Sequence, residues 1–288
     1  MIKRYYEKNV VRIILIEGFC VGLIISLYPL ISNIYSRRNQ IQVINDYTED
    51  IKEIDTKQIA KELELANAYN RKLNQTIVLT DPFDPSAIDM ADDAYYDILN
   101  YTDDGVMAYI NIPKIDVNLP IYHGTDSEHM LKGVGHLVGT SFPVGGVDTH
   151  AVLSAHSGLS TAELFTNLAD LKKGDLFYIH VLDDVLAYEV DKINVVKPDE
   201  TNDLKIVPGQ DYVTLVTCTP YGINSHRLLV RGHRVEYDPD LEKQESKKAN
   251  NDVWFKEYIK SIVSGIGIIV LIIIFIVVLK RVKRVLRR

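Results

Sequence analysis

The chain has 288 residues, of which 47% are hydrophobic and 25% charged, a composition typical of a globular domain with further segments attached. Its formal net charge of -7 argues against a general nucleic-acid-binding protein, because neutralising phosphates requires clustered Lys and Arg on the folded domain. The chain has 2 cysteines, Cys20 and Cys218, in segments of very different character. This argues against a disulfide framework and predicts that Cys218 is a free thiol.

The first predicted element is an apolar segment at residues 13–31, which follows the basic residues Lys3, Arg4, Lys8 and Arg12. It is long enough to be either a retained membrane anchor or the hydrophobic part of a signal peptide, and no clean small-residue cleavage site follows it. We therefore expect residues 1–37 to form a cytoplasmic N-terminus and a transmembrane anchor or signal segment.

Residues 45–75 are charged and carry apolar side chains spaced mostly at threes and fours, which predicts one amphipathic helix or two short ones. The next stretch, TIVLTDPFDPSAIDMADDAYYD at 76–97, contains two prolines and several aspartates that disfavour a long helix and indicate an ordered or semi-ordered loop. Residues 38–105 are thus expected to be a helical extension that ends in a loop.

From residue 106 to 237 the pattern changes to short β-type runs separated by Gly, Pro and Asn. Seven or eight such strands with few helices between them favour a mostly β fold, a closed or nearly closed mixed barrel. We expect two short helices in this region. One lies near 126–132, and the other begins with a capping box, Ser160-x-x-Glu163, and ends at Gly174.

The C-terminal part predicts a second membrane segment. Residues 238–258 are polar, lack a periodic apolar face and are expected to be a linker. Residues 261–279 carry no charge, and the following KRVKRVLRR is rich in Lys and Arg, so 259–288 is predicted to be a transmembrane helix with a basic cytoplasmic tail. Basic residues at both ends predict a protein of the cell membrane with both termini cytoplasmic and the middle of the chain extracellular.

The sequence offers no pattern for a metal or cofactor. It contains no HExxH motif and no calcium-binding loop, and the histidines do not pair at helical spacing. The stretch GVGH at 133–136 lacks the third glycine and the strand-helix context of a phosphate-binding loop. We therefore expect neither a metal nor a cofactor.

Cys218 is the first candidate for chemistry. It ends the apolar run TLVTC, and TPYG breaks the strand directly after it, so the thiol is expected at the open end of the barrel. Arg227 lies at the start of the next apolar run. If the two strands are antiparallel neighbours, it lies close to Cys218. A guanidinium there favours the thiolate and offers donors to an oxyanion. From its position alone, a buried inert cysteine is the alternative interpretation.

His156 is the candidate base. It closes the apolar run AVLSA and is followed by Ser157-Gly158, again a strand end at a turn. A histidine and a cysteine at two strand ends on one rim would form a nucleophile and a general acid-base pair. The alternative is a histidine that only caps a loop.

Together these residues resemble a known family. TLVTC with Arg227 nine residues on, TPYGIN between them, and His156 in HAVLSAHSG are similar to the sortases. With IPKIDVNLPIYHGT and GVGHLVGTSFPVGG upstream, residues 106–235 resemble the class C, pilin-polymerising sortases. The resemblance implies a sortase-like closed mixed barrel of about eight strands, and the helical extension and terminal transmembrane helices fit that architecture.

The resemblance also implies roles for individual residues. Cys218 would attack the carbonyl between Thr and Gly of a Leu-Pro-x-Thr-Gly-like sorting signal, His156 would move the protons, and Arg227 would hold the substrate and steady the oxyanion. Asp81, Pro82 and Phe83 match the Asp-Pro-aromatic motif of a lid that covers the site. The implied partners are pilin subunits, which the enzyme would join through lysine isopeptide bonds.

Two alternatives remain open on the sequence. One is a housekeeping sortase that attaches surface proteins to peptidoglycan, although neither the lid motif nor the C-terminal anchor is expected there. The other is an inactive barrel that serves as a membrane-tethered binding or assembly module.

Overall fold

The structure is a computed structural model that describes residues 2–73, 79–88, 91, 93–101 and 105–285. Within these residues the α-helices are α1 (Ile2–Glu53), α2 (Thr56–Lys72), α3 (Asp93–Asp97), α4 (Ser127–Lys132) and α5 (Pro239–Val285). The strands are β1 (Val106–Ile112), β2 (Val117–His123), β3 (Val134–His136), β4 (Thr149–Ser154), β5 (Leu176–Val181), β6 (Asp184–Val196), β7 (Asp211–Thr219) and β8 (His226–Val235).

The strands close into a barrel in the order β1-β2-β3-β4-β7-β8-β6-β5. Strand β2 pairs parallel with β3 and β4 pairs parallel with β7, whereas the other neighbours are antiparallel. This closed order of parallel and antiparallel strands confirms the predicted mixed barrel. The short apolar runs rich in β-branched residues form its strands and place their side chains in its interior.

Two pairings of β7 position the candidate site. Because β4 and β7 run parallel, with Ser154 opposite Val216, their carboxyl ends reach the same rim of the barrel. The antiparallel hairpin of β7 and β8 turns at that rim too and brings the start of β8 back to the end of β7. Residues that follow β4, end β7 and begin β8 therefore meet at one edge.

The helical extension packs on the barrel through buried polar contacts as well as apolar ones. The hydroxyl of Tyr47 on α1 donates to the carbonyl of Met107 at 3.1 Å and accepts from the N–H of Leu182 at 2.9 Å. On α2, the amide of Asn70 bonds both backbone groups of Phe142, at 2.8 and 3.2 Å. The extension is thus tied to the barrel at several points, and the predicted helix or pair of helices at 45–75 is observed as the end of α1 followed by α2.

The segment 79–88 lies over a second apolar cluster that is separate from the main core. Leu79 and Ala87 of this segment are buried against Leu137, Val152, Leu204, Val216 and Leu229, and Phe83 packs against the same cluster. Apolar contacts therefore hold this loop to the barrel at both of its ends.

Of the two short helices expected in the barrel region, one is found and one is wrong. Asp126 caps α4 by accepting from the N–H groups of Glu128 and His129. The stretch from Ser160 onward forms turns and a 3-10 turn at Leu168–Asp170 instead of a helix. Leu164 has a positive φ of 42°, and the N–H of Glu163 bonds the side chain of Asn33 at 3.1 Å, so the backbone leaves the helical path where the capping box would start it.

The polar stretch 238–258 is helical as well, since α5 begins at Pro239. Its first turn is fixed to the barrel because Glu242 accepts hydrogen bonds from Asn111 at 3.0 Å and Tyr237 at 2.7 Å and pairs with His180 at 3.0 Å. This stretch lacks a periodic apolar face and was expected to be a linker. The helix begins here all the same, because polar contacts anchor it to the barrel.

The chain forms two compact units, one of residues 33–249, which holds the barrel, and one of residues 1–32 and 250–288. In the second unit the rings of Phe19 and Phe275 stack with centroids 4.7 Å apart, and Cys20 is exposed. Among the described residues, the helix Ile16–Glu53 is long and apolar enough to cross a membrane, and a shorter apolar helix covers Gly265–Val278. A C-terminal membrane span stays a prediction, as do the boundaries of the predicted segments.

Candidate active site

Cys218 and Arg227 are direct partners across the β7/β8 hairpin. Cys218 is the next-to-last residue of β7 and is half-buried as a free thiol, while Arg227 is the second residue of β8. A spacing of nine residues leaves room for the two strand ends and a turn. The hairpin therefore brings Arg227 next to Cys218, as expected from the sequence.

His156 lies two residues beyond the end of β4, on the rim that β7 also reaches. The N–H of Ala155 still bonds the carbonyl of Val216 at 3.1 Å, so the chain continues alongside β7 past the last ladder pair. In this parallel register the residue after Ala155 comes level with the end of β7. The structure therefore places His156 at the same rim as Cys218, on the side of β7 opposite Arg227.

Arg227 is held by the carboxylate of Asp81 in a bidentate pair. Its Nε donates to Oδ1 at 2.8 Å and its Nη2 to Oδ2 at 2.6 Å, and the two side chains are only 11% and 14% exposed. The Nη1 group donates to the carbonyls of Asn224 and His226 at 3.0 and 3.1 Å. Because an arginine has five N–H donors, Asp81 and these carbonyls occupy most of them.

Phe83 joins the parts of the site. Its ring centroid lies 5.5 Å from that of His156 and 4.9 Å from the Cζ atom of Arg227. Pro82, between Asp81 and Phe83, is buried in the turn, and the N–H of Asp84 closes that turn on the carbonyl of Asp81 at 2.9 Å. The predicted lid residues thus contact the predicted catalytic histidine and arginine together.

The electrostatics of the site favour neutral forms of the two reactive groups. Burial raises the pKa of the Cys218 thiol, Arg227 lowers it, and the negative charge of Asp81 raises it further. Burial also lowers the pKa of the His156 imidazole. Both pKa shifts favour the uncharged forms of the thiol and the imidazole in this arrangement.

Three other histidines are buried in structural roles. His136 interacts with the hydroxyl of Tyr95 and the carbonyl of Ser141, each at 2.8 Å, and burial lowers its pKa to about 3. His150 lies close to the hydroxyl of Thr214 and a backbone carbonyl, and His123 lies between two carbonyls. Within the described ranges, no group of three or more His, Cys, Asp or Glu side chains comes together as metal ligands would.

Two hydroxyls at the site were not identified from the sequence. The Ser157 hydroxyl donates to the carbonyl of Cys218 at 2.7 Å, and the Thr217 hydroxyl donates to the carbonyl of Ala155 at 2.8 Å. Both residues adjoin the predicted catalytic pair in the chain, but a small hydroxyl residue next to such a group is common. The sequence does not show that these hydroxyls bond from one segment to the other, because β4 and β7 are distant in the chain and only the structure shows that they pair.

The sequence matches the sortase domain family over residues 110–235. Sortase D of Bacillus subtilis (strain 168) is 31% identical over 129 residues, which cover 44% of this chain. The match spans 62% of that relative, less than two thirds of its length.

Solved structures extend the likeness over most of the chain. Sortase C-1 from Actinomyces oris is 55% identical with a TM-score of 0.59, covering 63% of this chain and 99% of that one. The pilus-related sortase C of Group B Streptococcus is 47% identical with a TM-score of 0.62, covering 67% of this chain and 97% of that one. The barrel is closed and has a cysteine, a histidine and an arginine at one rim. Together with these matches, this identifies the class of protein as a cysteine transpeptidase. The chain belongs to the sortase family, and its structural neighbours are class C sortases.

Proposed function

We propose that this protein is a pilin-polymerising transpeptidase. It cleaves Leu-Pro-x-Thr-Gly-like sorting signals between Thr and Gly and joins the freed carbonyl to a lysine side chain of another pilin. The observation that carries the proposal is the placement of Cys218 directly opposite Arg227 at the rim that His156 also reaches. The pilus-related sortase among the structural neighbours supports the class of substrate.

In the first half-reaction the Cys218 sulfur attacks the Thr carbonyl carbon. The thiol proton passes to His156, which returns it to the glycine nitrogen as the Thr–Gly bond breaks and a thioester forms. The uncharged resting pair fits this sequence, because a neutral imidazole can accept the proton of a neutral thiol. Arg227 donates hydrogen bonds to the substrate and the developing oxyanion.

In the second half-reaction the amine of a pilin lysine attacks the thioester carbonyl. Its proton passes to His156, the Cys218 thiolate leaves, and the proton returns to sulfur to regenerate the resting pair. The product is an isopeptide bond between two pilin subunits. Water is the competing nucleophile, so the site gains from being covered until an acceptor arrives.

The segment containing Asp81 and Phe83 acts as that cover. The Asp81 carboxylate occupies donors of Arg227 that the substrate would use, and the Phe83 ring lies against His156. Substrate must displace both groups before chemistry, and such displacement is a common way of gating a reaction. These contacts favour a pilin-joining enzyme over one that attaches proteins to peptidoglycan.

We further propose that the enzyme is held in the cell membrane by both terminal segments, with the barrel outside the cell. The apolar part of α1 and the uncharged run at 261–279 supply the two spans, and the basic residues flanking them face the cytoplasm. Labelling of a single cysteine introduced into the tail, with and without permeabilised membranes, tests this orientation. Labelling in intact cells would contradict a cytoplasmic tail.

The full chain in detergent, incubated with purified pilins that carry sorting signals, tests the catalytic proposal. We expect a ladder of products that survives boiling in detergent, and Cys218→Ala should give none. Cleavage of a sorting peptide without any ladder, but with transfer to peptidoglycan-like amines, would instead identify a housekeeping sortase. No cleavage, even for a variant with an opened lid, would leave an inactive assembly module.

A further inference from the structure

The backbone ladder between β4 and β7 ends just before the two reactive residues. Strand β4 stops at Ser154, whose partner is Val216, while β7 continues to Thr219. One more backbone bond follows, from the N–H of Ala155 to the carbonyl of Val216 at 3.1 Å. His156 and Cys218 therefore lie where the regular pairing that fixes the two segments no longer extends.

Two hydroxyls continue the connection in opposite directions. Thr217 on β7 donates to the carbonyl of Ala155 at 2.8 Å, and this bond is buried. Ser157 on the histidine segment donates to the carbonyl of Cys218 at 2.7 Å. On the histidine segment, Ala155 accepts one bond and Ser157 donates the other, and these are the residues directly before and after His156.

The other side of the histidine segment is fixed too. The N–H of Phe165 donates to the carbonyl of His156 at 3.1 Å, and the N–H of Gly158 donates to the Thr166 hydroxyl at 3.0 Å. The ring of Tyr221 lies so close to Gly158 that an added Cβ would be 2.9 Å from its Cε2 atom. Between the histidine segment and the end of β7, the Ser157 and Thr217 hydroxyl bonds add to the backbone bond from Ala155 to Val216.

We propose that Ser157 and Thr217 are positioning residues that hold the imidazole of His156 in register with the sulfur of Cys218, and this rests on the catalytic roles proposed above. Each hydroxyl donates to a backbone carbonyl. Ser157 acts on the backbone of the nucleophile itself, and Thr217 acts on the residue preceding the base. Since proton transfer between sulfur and nitrogen depends steeply on distance and angle, a small shift between the segments is expected to lower turnover more than substrate binding.

A purely structural role of the two hydroxyls predicts a different experimental result. If the hydroxyls only satisfied two carbonyl oxygens, their removal would lower stability and leave the coupling of thiol and imidazole unchanged. The positioning role instead predicts changes in properties that report on that coupling. These are the pH profile of thiol alkylation and the separate values of kcat and KM.

The test compares Ser157→Ala, Ser157→Thr and, as a matched control, Ser160→Ala, which alters an exposed serine of the same loop. All are made in the full chain in detergent. We expect Ser157→Ala to lower kcat for a sorting peptide by about tenfold with little change in KM, which corresponds to the loss of one well-placed hydrogen bond. Its alkylation profile with iodoacetamide should move toward that of His156→Ala, and Ser157→Thr should restore both readouts.

A second variant removes the other hydroxyl. Thr217→Val keeps the branched shape of the side chain, and we expect it to change the same readouts in the same direction as Ser157→Ala. If Ser157→Ala does not fold, Thr217→Val decides the question. The control Ser160→Ala should match the parent protein in every measurement.

An unchanged kcat and alkylation profile in Ser157→Ala would overturn the proposal, as would a loss of thermal stability without either change. The alkylation profile needs no substrate. If the chain joins no pilins but Ser157→Ala still moves this profile, the positioning role stands and the proposed substrate is wrong.

Discussion

Replacing Asp81 with Asn tests whether the segment over the site is a lid that Arg227 holds closed. The substitution preserves shape but removes the charge, and it turns an amide donor toward a guanidinium that itself only donates. Hydrogen bonds involving a charged group contribute about 1.5–3 kcal/mol each. Since both side chains are largely buried, at 11% and 14% exposure, solvent screens the pair only weakly.

If about 2 kcal/mol is lost from the closed state, the population of open protein rises about 30-fold, because 1.4 kcal/mol corresponds to a factor of ten. Alkylation of Cys218 by iodoacetamide, followed by mass spectrometry of the full chain, measures this population when labelling requires opening. We expect a rate increase of about 10- to 30-fold. Asp84→Asn is the matched control, since this exposed carboxylate contacts the N–H and hydroxyl of Ser86 in the same segment.

Part of any increase would come from charge, because Asp81 also raises the pKa of the Cys218 thiol. The two effects separate at the plateau of each pH profile, where the sulfur is fully ionised and only access to it still differs. A plateau rate of Asp81→Asn equal to that of the parent protein would refute the lid. So would an equal increase in Asp84→Asn.

Cys218→Ala should abolish every covalent product in the pilin assay while leaving the melting temperature within a few degrees of the parent, and any remaining ladder would mean that another group is the nucleophile. The alkylation rate of the parent protein should rise about tenfold per pH unit near neutral pH and should still be rising at about pH 8.5, because burial raises the pKa of the thiol above its ordinary value; a plateau near neutral pH would show a thiolate already present. Asn70→Ala should lower the free energy of unfolding by about 2–5 kcal/mol in urea titrations, because both backbone groups of Phe142 lose their buried partner; a change below about 1 kcal/mol would show that the extension does not depend on this contact. Asp81→Ala combined with Phe83→Ala should increase thiol labelling at least as much as Asp81→Asn, and unchanged labelling would contradict the lid assignment.

The barrel was predictable because its strands are short, apolar and separated by turn residues, and this information is local in the sequence. The pairing of Cys218 with Arg227 was predictable for a similar reason, since a hairpin joins neighbours in the chain. The helix expected from Ser160 onward was wrong: Leu164 has a positive φ, and the N–H of Glu163, which a capping box would pair with Ser160, bonds the side chain of Asn33, 130 residues away. Local capping residues carry no information about such a distant competitor.

The contacts that complete the site are also distant in the chain. Ser157 and Cys218 are separated by 61 residues, and Asp81 and Arg227 by 146. Both the lid and the pairing of its aspartate with Arg227 were expected only once the Asp-Pro-Phe motif had been matched to a family, because the local sequence by itself does not show which cation the carboxylate reaches. The helical start of α5 was missed because its contacts with Asn111 and His180 are polar and bridge segments over 60 residues apart.

The lid contacts link access to the site with its reactivity. In the closed arrangement Asp81 occupies donors of Arg227, and its negative charge adds to the effect of burial in raising the pKa of the thiol, so one carboxylate acts on both the proposed oxyanion donors and the proposed nucleophile. Displacing that carboxylate would remove both effects in a single movement. Because Phe83 contacts His156 and Arg227 together, the same movement would expose the base. An acyl donor that opens the lid would therefore meet an activated site, whereas water would meet a closed and uncharged one, and this difference favours transfer over hydrolysis.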